Sequence, residues 1–317
     1  MFSNHPLPQL KPRASESHKG DFGHALLVGG GPGMAGAITL CTLAALRTGA
    51  GLTTVASRSN SRLVVQTAAP CAMTMPLEES SNGYLAESAS RQIQSKYSRN
   101  MVLGIGPGLG RDPAQDRMVV DLFNVWPGIA VFDADALNAI SESKQWWSAL
   151  SNWQLSELAH STVPLKTKQS DSDYLSTIQG ARILTPHPGE WERLTNIKTT
   201  DSEKQQREAI EFAKHIRSVI VLKGHRTLVT DGERVYRNTT GNPSMAVGGS
   251  GDVLTGIIVA LACQGLSAYD AAVLGVYLHG LAGDIAHFEL GTPSTLGTDL
   301  IGYLPAAFRR LNSQSDG

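Results

Sequence analysis

The densest group of residues able to do chemistry is Gly248-Gly249-Ser250-Gly251-Asp252, at the start of a strongly apolar run. Glycines ahead of a helix leave backbone N–H groups uncovered at the positive end of its dipole, which suits a phosphate. A transferring phosphoryl group needs donors for its developing charge and a carboxylate to take a hydroxyl proton. This run offers both within a few residues. No Gly-Lys-Ser/Thr follows, so it is not a Walker loop. An Asp at a helix start can instead be its N-cap. The small neighbours give Asp252 access to a ligand and favour chemistry, with capping left as the alternative.

Three further groups follow apolar runs. In Thr185-Pro186-His187-Pro188-Gly189-Glu190, two prolines stiffen the backbone and hold His187 and Glu190 on a rigid turn. Its plain alternative is a helix N-terminus with Glu190 near the dipole. In Leu222-Lys223-Gly224-His225-Arg226-Thr227, Lys223 ends an otherwise apolar strand. It either meets phosphate oxygens or snorkels to the surface. Gly104-Ile105-Gly106-Pro107-Gly108-Leu109-Gly110 lets backbone meet a ligand. After another strand, Asp133, Asp135 and Asn138 can orient hydroxyls or Mg²⁺, although capping explains Asp135 equally well. His279, inside an apolar helical stretch, reads as a satisfied core residue.

Gly31-Pro32-Gly33-Met34-Ala35-Gly36 matches the dinucleotide fingerprint between a strand and a helix. That fingerprint also needs an acidic residue to hold a ribose, and no Asp or Glu occurs between Asp21 and Glu78. Arg58 is left as a partner for a 2′-phosphate. The loop reads either as a ligand approach to a helix N-terminus or as a tight strand-to-helix turn.

The elements that must position these groups alternate. Strands are expected at His24–Val28, Leu52–Ala56, Met101–Ile105, Ile129–Asp133, Arg182–Thr185 and Val219–Leu222. Helices lie between most of them, including Ala35–Thr48, closed by Gly49, and Asp201–Arg217. Apolar strands alternating with helices imply a mainly parallel sheet covered on both faces, with ligands at the strand ends. Asp231-Gly232 between Leu228–Thr230 and Val235–Arg237 predicts a hairpin. Helices at Asp252–Gln264, Ala268–Glu289 and Gly297–Leu311 complete the chain. Residues 1–17 read as a flexible arm, 18–312 as one domain, and 141–180, with Trp146, Trp147 and Trp153, as a surface insertion. Those tryptophans either cover core or make a subunit contact.

Composition narrows the partners. The 317 residues carry 27 basic and 28 acidic side chains, with no basic block, so nucleic acid and anionic membranes are not expected partners. Cys41, Cys71 and Cys263 show neither zinc nor disulfide spacing and read as small buried side chains. The longest apolar stretch, Val253–Cys263, is too short to span a bilayer. A cytoplasmic protein is expected.

Together these segments resemble the ADP/ATP-dependent NAD(P)H-hydrate dehydratase family of the ribokinase-like superfamily. The resemblance runs from His18-Lys19-Gly20-Asp21 to about Leu304. It rests also on Gly33-Met34-Ala35-Gly36-Ala37, Ala45-Leu46-Arg47-Thr48-Gly49-Ala50-Gly51, Ile105-Gly106-Pro107-Gly108, Asp133-Ala134-Asp135-Ala136-Leu137, the His187 turn and the helix start at Asp252. It implies a three-layer α/β/α sandwich and a carbon–oxygen lyase that repairs the S form of NADHX and NADPHX, with ADP or ATP as co-substrate and Mg²⁺. Ala37, Gly108, His187 and Asp252 would contact the hydrate. Lys223, Gly224, His225, Arg226, Thr227 and Gly251 would contact the nucleotide. Gly249, Ser250 and Gly251 would form the anion hole, and Asp252 would be the base; no metal ligand is assigned. The resemblance further implies a homo-oligomer, a tetramer, and a separate epimerase for the R hydrate. Three alternatives remain: a kinase for a vitamin-precursor alcohol, a nicotinamide-dependent oxidoreductase, and a nucleotide-binding protein without turnover.

Overall fold

Why the chain can place so many loops on one side follows from its strands, which are short, apolar and mostly parallel. In the computed structural model, which describes residues 6–148, 150, 178–198 and 201–315, they are β1 (His24–Val28), β2 (Leu52–Ser57), β3 (Met73–Pro76), β4 (Met101–Ile105), β5 (Ala130–Phe132), β6 (Arg182–Leu184), β7 (Val219–Leu222), β8 (Leu228–Thr230) and β9 (Val235–Arg237). They form one sheet in the order β3-β2-β1-β4-β5-β6-β7-β8-β9. Pairing is parallel from β3 to β7 and antiparallel from β7 to β9.

The helices are α1 (Ala35–Thr48), α2 (Ser59–Ala68), α3 (Ala89–Gln94), α4 (Pro113–Val125), α5 (Asp135–Ser141), α6 (Pro188–Thr195), α7 (Ser202–Ile216), α8 (Ser250–Cys263), α9 (Ala268–Leu290) and α10 (Gly297–Ser315). Alternate strand residues enter two cores. Ala25, Leu27, Val102, Val131 and Val221 pack with α1, α8, α9 and α10 on one face. Leu26, Val28, Leu103, Phe132 and Leu184 pack with α3 to α7 on the other. This is the three-layer α/β/α arrangement expected of a parallel sheet buried on both sides. The helix α9 is long and apolar enough to cross a membrane, yet it is a core helix, with 72% of its most apolar window buried in protein.

Several expectations need correction. Strand β5 begins and ends inside Ile129–Asp133, and α8 starts two residues before Asp252. Cys71 is exposed, whereas Cys41 and Cys263 are buried. Residues 6–17 are irregular but held to the body: Leu7 and Leu10 pack on a core, Arg13 Nη2 donates to Gly49 O at 2.8 Å, and its guanidinium lies 3.8 Å from the centre of the Phe22 ring. Of the 141–180 segment, 149 and 151–177, including Trp153, lie outside the described residues. Trp146 is fully buried, edge-on to Phe123 and Phe212, and its indole N–H donates to Leu194 O at 2.9 Å. It is core.

Candidate active site

The carboxyl ends of β1, β4, β5, β6 and β7 open on one side of the sheet, where a ligand in such a fold belongs. A cavity of about 740 Å³ lies there, a volume suited to a small ligand. His187, Lys223 to Thr227, Ser250, Gly251 and Asp252 line it together. Asn238, Thr240 to Pro243 and Met245, beyond the antiparallel hairpin, close its far wall. Ala37, Gly108 and Gly249 are not part of this lining.

At the cavity floor stands a buried charge network. Asp133 Oδ1 accepts hydrogen bonds from Lys223 Nζ at 2.8 Å and from Thr185 Oγ1 at 2.7 Å. Its Oδ2 accepts from Thr255 Oγ1 at 2.8 Å. Burial opposes the ionisation of Asp133, but the Lys223 ammonium and these bonds outweigh it and hold the carboxyl below its usual range. Lys223 Nζ also lies 3.6 Å from Glu190 Oε2. Burial works against its charge, yet Asp133 and Glu190 raise its pKa. Lys223 is therefore not a snorkelling surface cation but a paired one that lines the cavity.

Directly above this network α8 begins. Gly249, with φ +88°, is its N-cap and supplies no side-chain cap. The first-turn N–H groups of a helix have no intrahelical acceptor. Ser250 N–H donates to Val247 O at 3.4 Å, which leaves those of Gly251 and Asp252. A Cβ on Gly251 would stand 3.5 Å from Lys223 Nζ, so this turn hangs over the ammonium. Asp252 is the third residue of the helix, not its cap. Among the described residues nothing donates a hydrogen bond to its carboxylate. Burial first, then the Asp133 charge, raises its pKa to about 7, with Lys223 pulling the other way. A carboxylate poised near neutrality, unpaired and facing a cavity, is suited to accept a proton.

His187 does both things its sequence allowed. It is the N-cap of α6: Nδ1 accepts from Gly189 N–H at 3.0 Å, and its own N–H donates to Glu190 Oε2 at 2.8 Å. Its ring still faces the cavity. Burial lowers its pKa against the pull of Glu190. Glu190 thus links the cap to Lys223.

Beside the cavity, the loops after β1 and β4 are sewn together. Gly30 N–H donates to Pro107 O at 3.1 Å and Gly31 N–H to Gly108 O at 2.6 Å. A Cβ on Gly31 would stand 2.1 Å from Leu109 O, and one on Gly106 would stand 1.8 Å from Asp133 O. Of the fingerprint-like glycines, Gly31 is thus required for loop packing and Gly33 takes a φ of +77°, as in a tight turn, while a Cβ on Gly36 would meet nothing within 4 Å. Arg58, the alternative 2′-phosphate partner, lies 3.6 Å from Glu79. Ala37 and Gly108 meet across the loop seam, where a Cβ on Gly108 would lie 2.8 Å from Ala37 Cβ.

The donor set for Mg²⁺ is thin. Asp133 is committed to Lys223 and two threonines. Asp135 Oδ2 accepts from Gly110 N–H at 2.8 Å, and Asn138 Oδ1 from Arg193 Nε at 2.8 Å. Among the described residues no group of three or more His, Cys, Asp or Glu side chains is placed to hold a metal. The side chains do not form a cage, and a Mg²⁺ here fits only as an ion carried on nucleotide phosphates.

Three contributors were not visible in the sequence. His279 is not a satisfied core residue: it lines the cavity, with Nε2 3.3 Å from Ser250 Oγ. Asn238 and Thr240 pin the far wall to α9, donating to Val276 O at 3.0 Å and Tyr277 O at 2.8 Å. A polar residue after an Asp-Gly hairpin carries no such signal.

A profile of the NAD(P)H-hydrate dehydratase family matches residues 25–155 and 161–306. The bifunctional NAD(P)H-hydrate repair enzyme of Moorella thermoacetica is 40% identical over 309 residues, covering 96% of this chain and 53% of that protein. The chain therefore spans about half the length of such bifunctional relatives. The ADP-dependent (S)-NAD(P)H-hydrate dehydratase of Bacillus subtilis is 30% identical, with 96% of each chain covered. A crystal structure of the Bacillus subtilis ADP/ATP-dependent NAD(P)H-hydrate dehydratase, co-crystallised with ATP and Mg²⁺, matches with a TM-score of 0.73 at 28% identity, covering 95% of this chain and 94% of that one. With these matches and a ribokinase-like sheet beneath the site, the chain belongs to the NAD(P)H-hydrate dehydratase family.

Proposed function

We propose that this chain dehydrates the S form of NADHX and NADPHX, the 6-hydrates of the reduced nicotinamide cofactors, to NADH and NADPH, while ADP becomes AMP and phosphate. The observation that carries this reading is the Asp252 carboxylate, unpaired and raised to about 7 at an uncapped helix start. Hydroxide is a poor leaving group, and phosphate is a good one. The hydrate oxygen bonds to the terminal phosphorus of ADP while Asp252 takes its proton. The bond from that phosphorus to the bridging oxygen breaks and AMP departs. The carbon–oxygen bond then breaks, the neighbouring ring carbon releases a proton, and the ring double bond returns. No redox step is needed.

The N–H groups of Gly251 and Asp252 and the Ser250 hydroxyl would hold the phosphoryl oxygens, a narrower hole than Gly249 to Gly251. The stretch from Lys223 to Thr227 would hold the nucleotide, with the buried Lys223 supplying positive charge beneath it. Ala37, Gly108 and His187 would border the hydrate. Mg²⁺ would neutralise nucleotide phosphate charge when bound. The same reading makes the enzyme cytoplasmic and tetrameric, working with an epimerase that supplies the S hydrate. The test is reduced-nicotinamide absorbance from purified S hydrate with ADP, with ATP and with neither. Recovery with ADP is expected. Absence of reduced cofactor with both nucleotides defeats the reading.

A further inference from the structure

The reaction above leaves one buried titratable group of the cavity without a task. His279 sits in α9 among small and apolar neighbours. An imidazole there costs free energy that a leucine would not. Burial pushes its pKa down to about 4, against the pull of a hydrogen bond to the Ser250 backbone and with the Lys223 charge adding to the fall. The ring is therefore neutral where Asp252 titrates and carries a single N–H. Its Nε2 stands 3.3 Å from Ser250 Oγ, and both residues line the cavity.

We propose that His279 is a positioning residue for phosphoryl transfer: its Nε2–H donates to Ser250 Oγ and so turns the Ser250 O–H toward the transferred phosphoryl group. A serine hydroxyl has one proton and rotates freely. If Nε2 accepted that proton, the hydroxyl would offer only lone pairs to an anionic oxygen. With Nε2–H donating, the lone pair is used by the ring and the proton is released for the ligand. Asp252 stands two residues from Ser250 in the same helix turn, so a proton rather than a lone pair turned toward the arriving phosphoryl oxygens matters. The inference rests on the proposed phosphoryl transfer.

The test compares His279→Leu, His279→Gln, Ser250→Ala and the Leu–Ala double variant, with kcat and the KM for ADP measured on the S hydrate of NADH. His279→Leu fills the space without a donor, and His279→Gln keeps an N–H near the Nε2 position. His279→Leu and Ser250→Ala should each lower kcat by about 10-fold, with the KM for ADP within about threefold of the parent. The double variant should be no slower than either single, because both remove one shared interaction. His279→Gln should recover most of the loss. Parental kcat in His279→Leu, equal losses in the Leu and Gln variants, or multiplying losses in the double variant would each overturn the proposal. If His279→Leu fails to fold, His279→Ala is judged by the same outcomes. An inactive parent protein would instead defeat the dehydratase reading.

Discussion

Replacing Asp252 by asparagine should stabilise the folded protein while stopping turnover. An aspartate ordinarily ionises near 3.8, and this one at about 7, because burial and then the Asp133 charge oppose its anion. Below the lower value the carboxyl is protonated in both the folded and unfolded chain and its shift has no effect on stability. As pH rises from there, the unfolded chain loses its proton while the folded chain retains it, so folding becomes less favourable. Above about 7 the whole penalty stands. A shift of about three units corresponds to roughly 4 kcal/mol at about 1.4 kcal/mol per unit. Partial exposure of the side chain to solvent reduces that to about 2 kcal/mol. Asparagine has the same shape and no charge. Urea unfolding without nucleotide should therefore show the variant about 2 kcal/mol more stable at about pH 8.5 and equal to the parent at about pH 4. Its kcat should fall by about 10² to 10⁴. A stability gain of the same size at both pH values would refute the electrostatic reasoning. Near-parental kcat would refute the base assignment.

Turnover of the parent should rise through about pH 7 as Asp252 deprotonates, checked by a pH–kcat profile. Lys223→Met should cost about 3–5 kcal/mol by leaving Asp133 and Glu190 buried without their cation. In whatever folds, the midpoint of that profile should move up, since Lys223 holds the Asp252 pKa down. Gly280→Ala would put a Cβ 2.3 Å from Thr240 Oγ1; a loss of about 1–3 kcal/mol with weaker ADP binding is expected, read by thermal unfolding and calorimetry. Arg182→Leu would strip donors from Phe123 O and Trp126 O, each bonded at 2.7 Å. It should cost about 3 kcal/mol in urea unfolding while leaving kcat unchanged, since Arg182 lies at the amino end of β6.

Local chemistry explains which features were legible in the sequence. Four or five consecutive apolar residues made β1, β4 and β7 readable, because strands buried on both faces need no polar alternation. Strand β3 was missed: Met-Thr-Met-Pro is short, half exposed and ends in proline. The start of α8 was placed late because glycine and serine tolerate either side of a helix boundary. For the site, Asp252 and the His187 turn stood out by type and spacing. The pairing of Lys223 with Asp133 joins residues 90 apart in sequence, and that of His279 with Ser250 joins residues 29 apart. Only the order of strands and the packing of α9 bring these pairs together.

The change from parallel to antiparallel pairing at β7 has an evolutionary consequence. The wall from Lys223 to Met245 is one continuous piece of chain, carried largely on the β8–β9 hairpin at the sheet's edge. The seam of Gly31 and Gly108 is built into the middle of the sheet. Drift or recombination at the edge can therefore alter the proposed nucleotide wall in a single segment, while the proposed hydrate-binding seam is left intact.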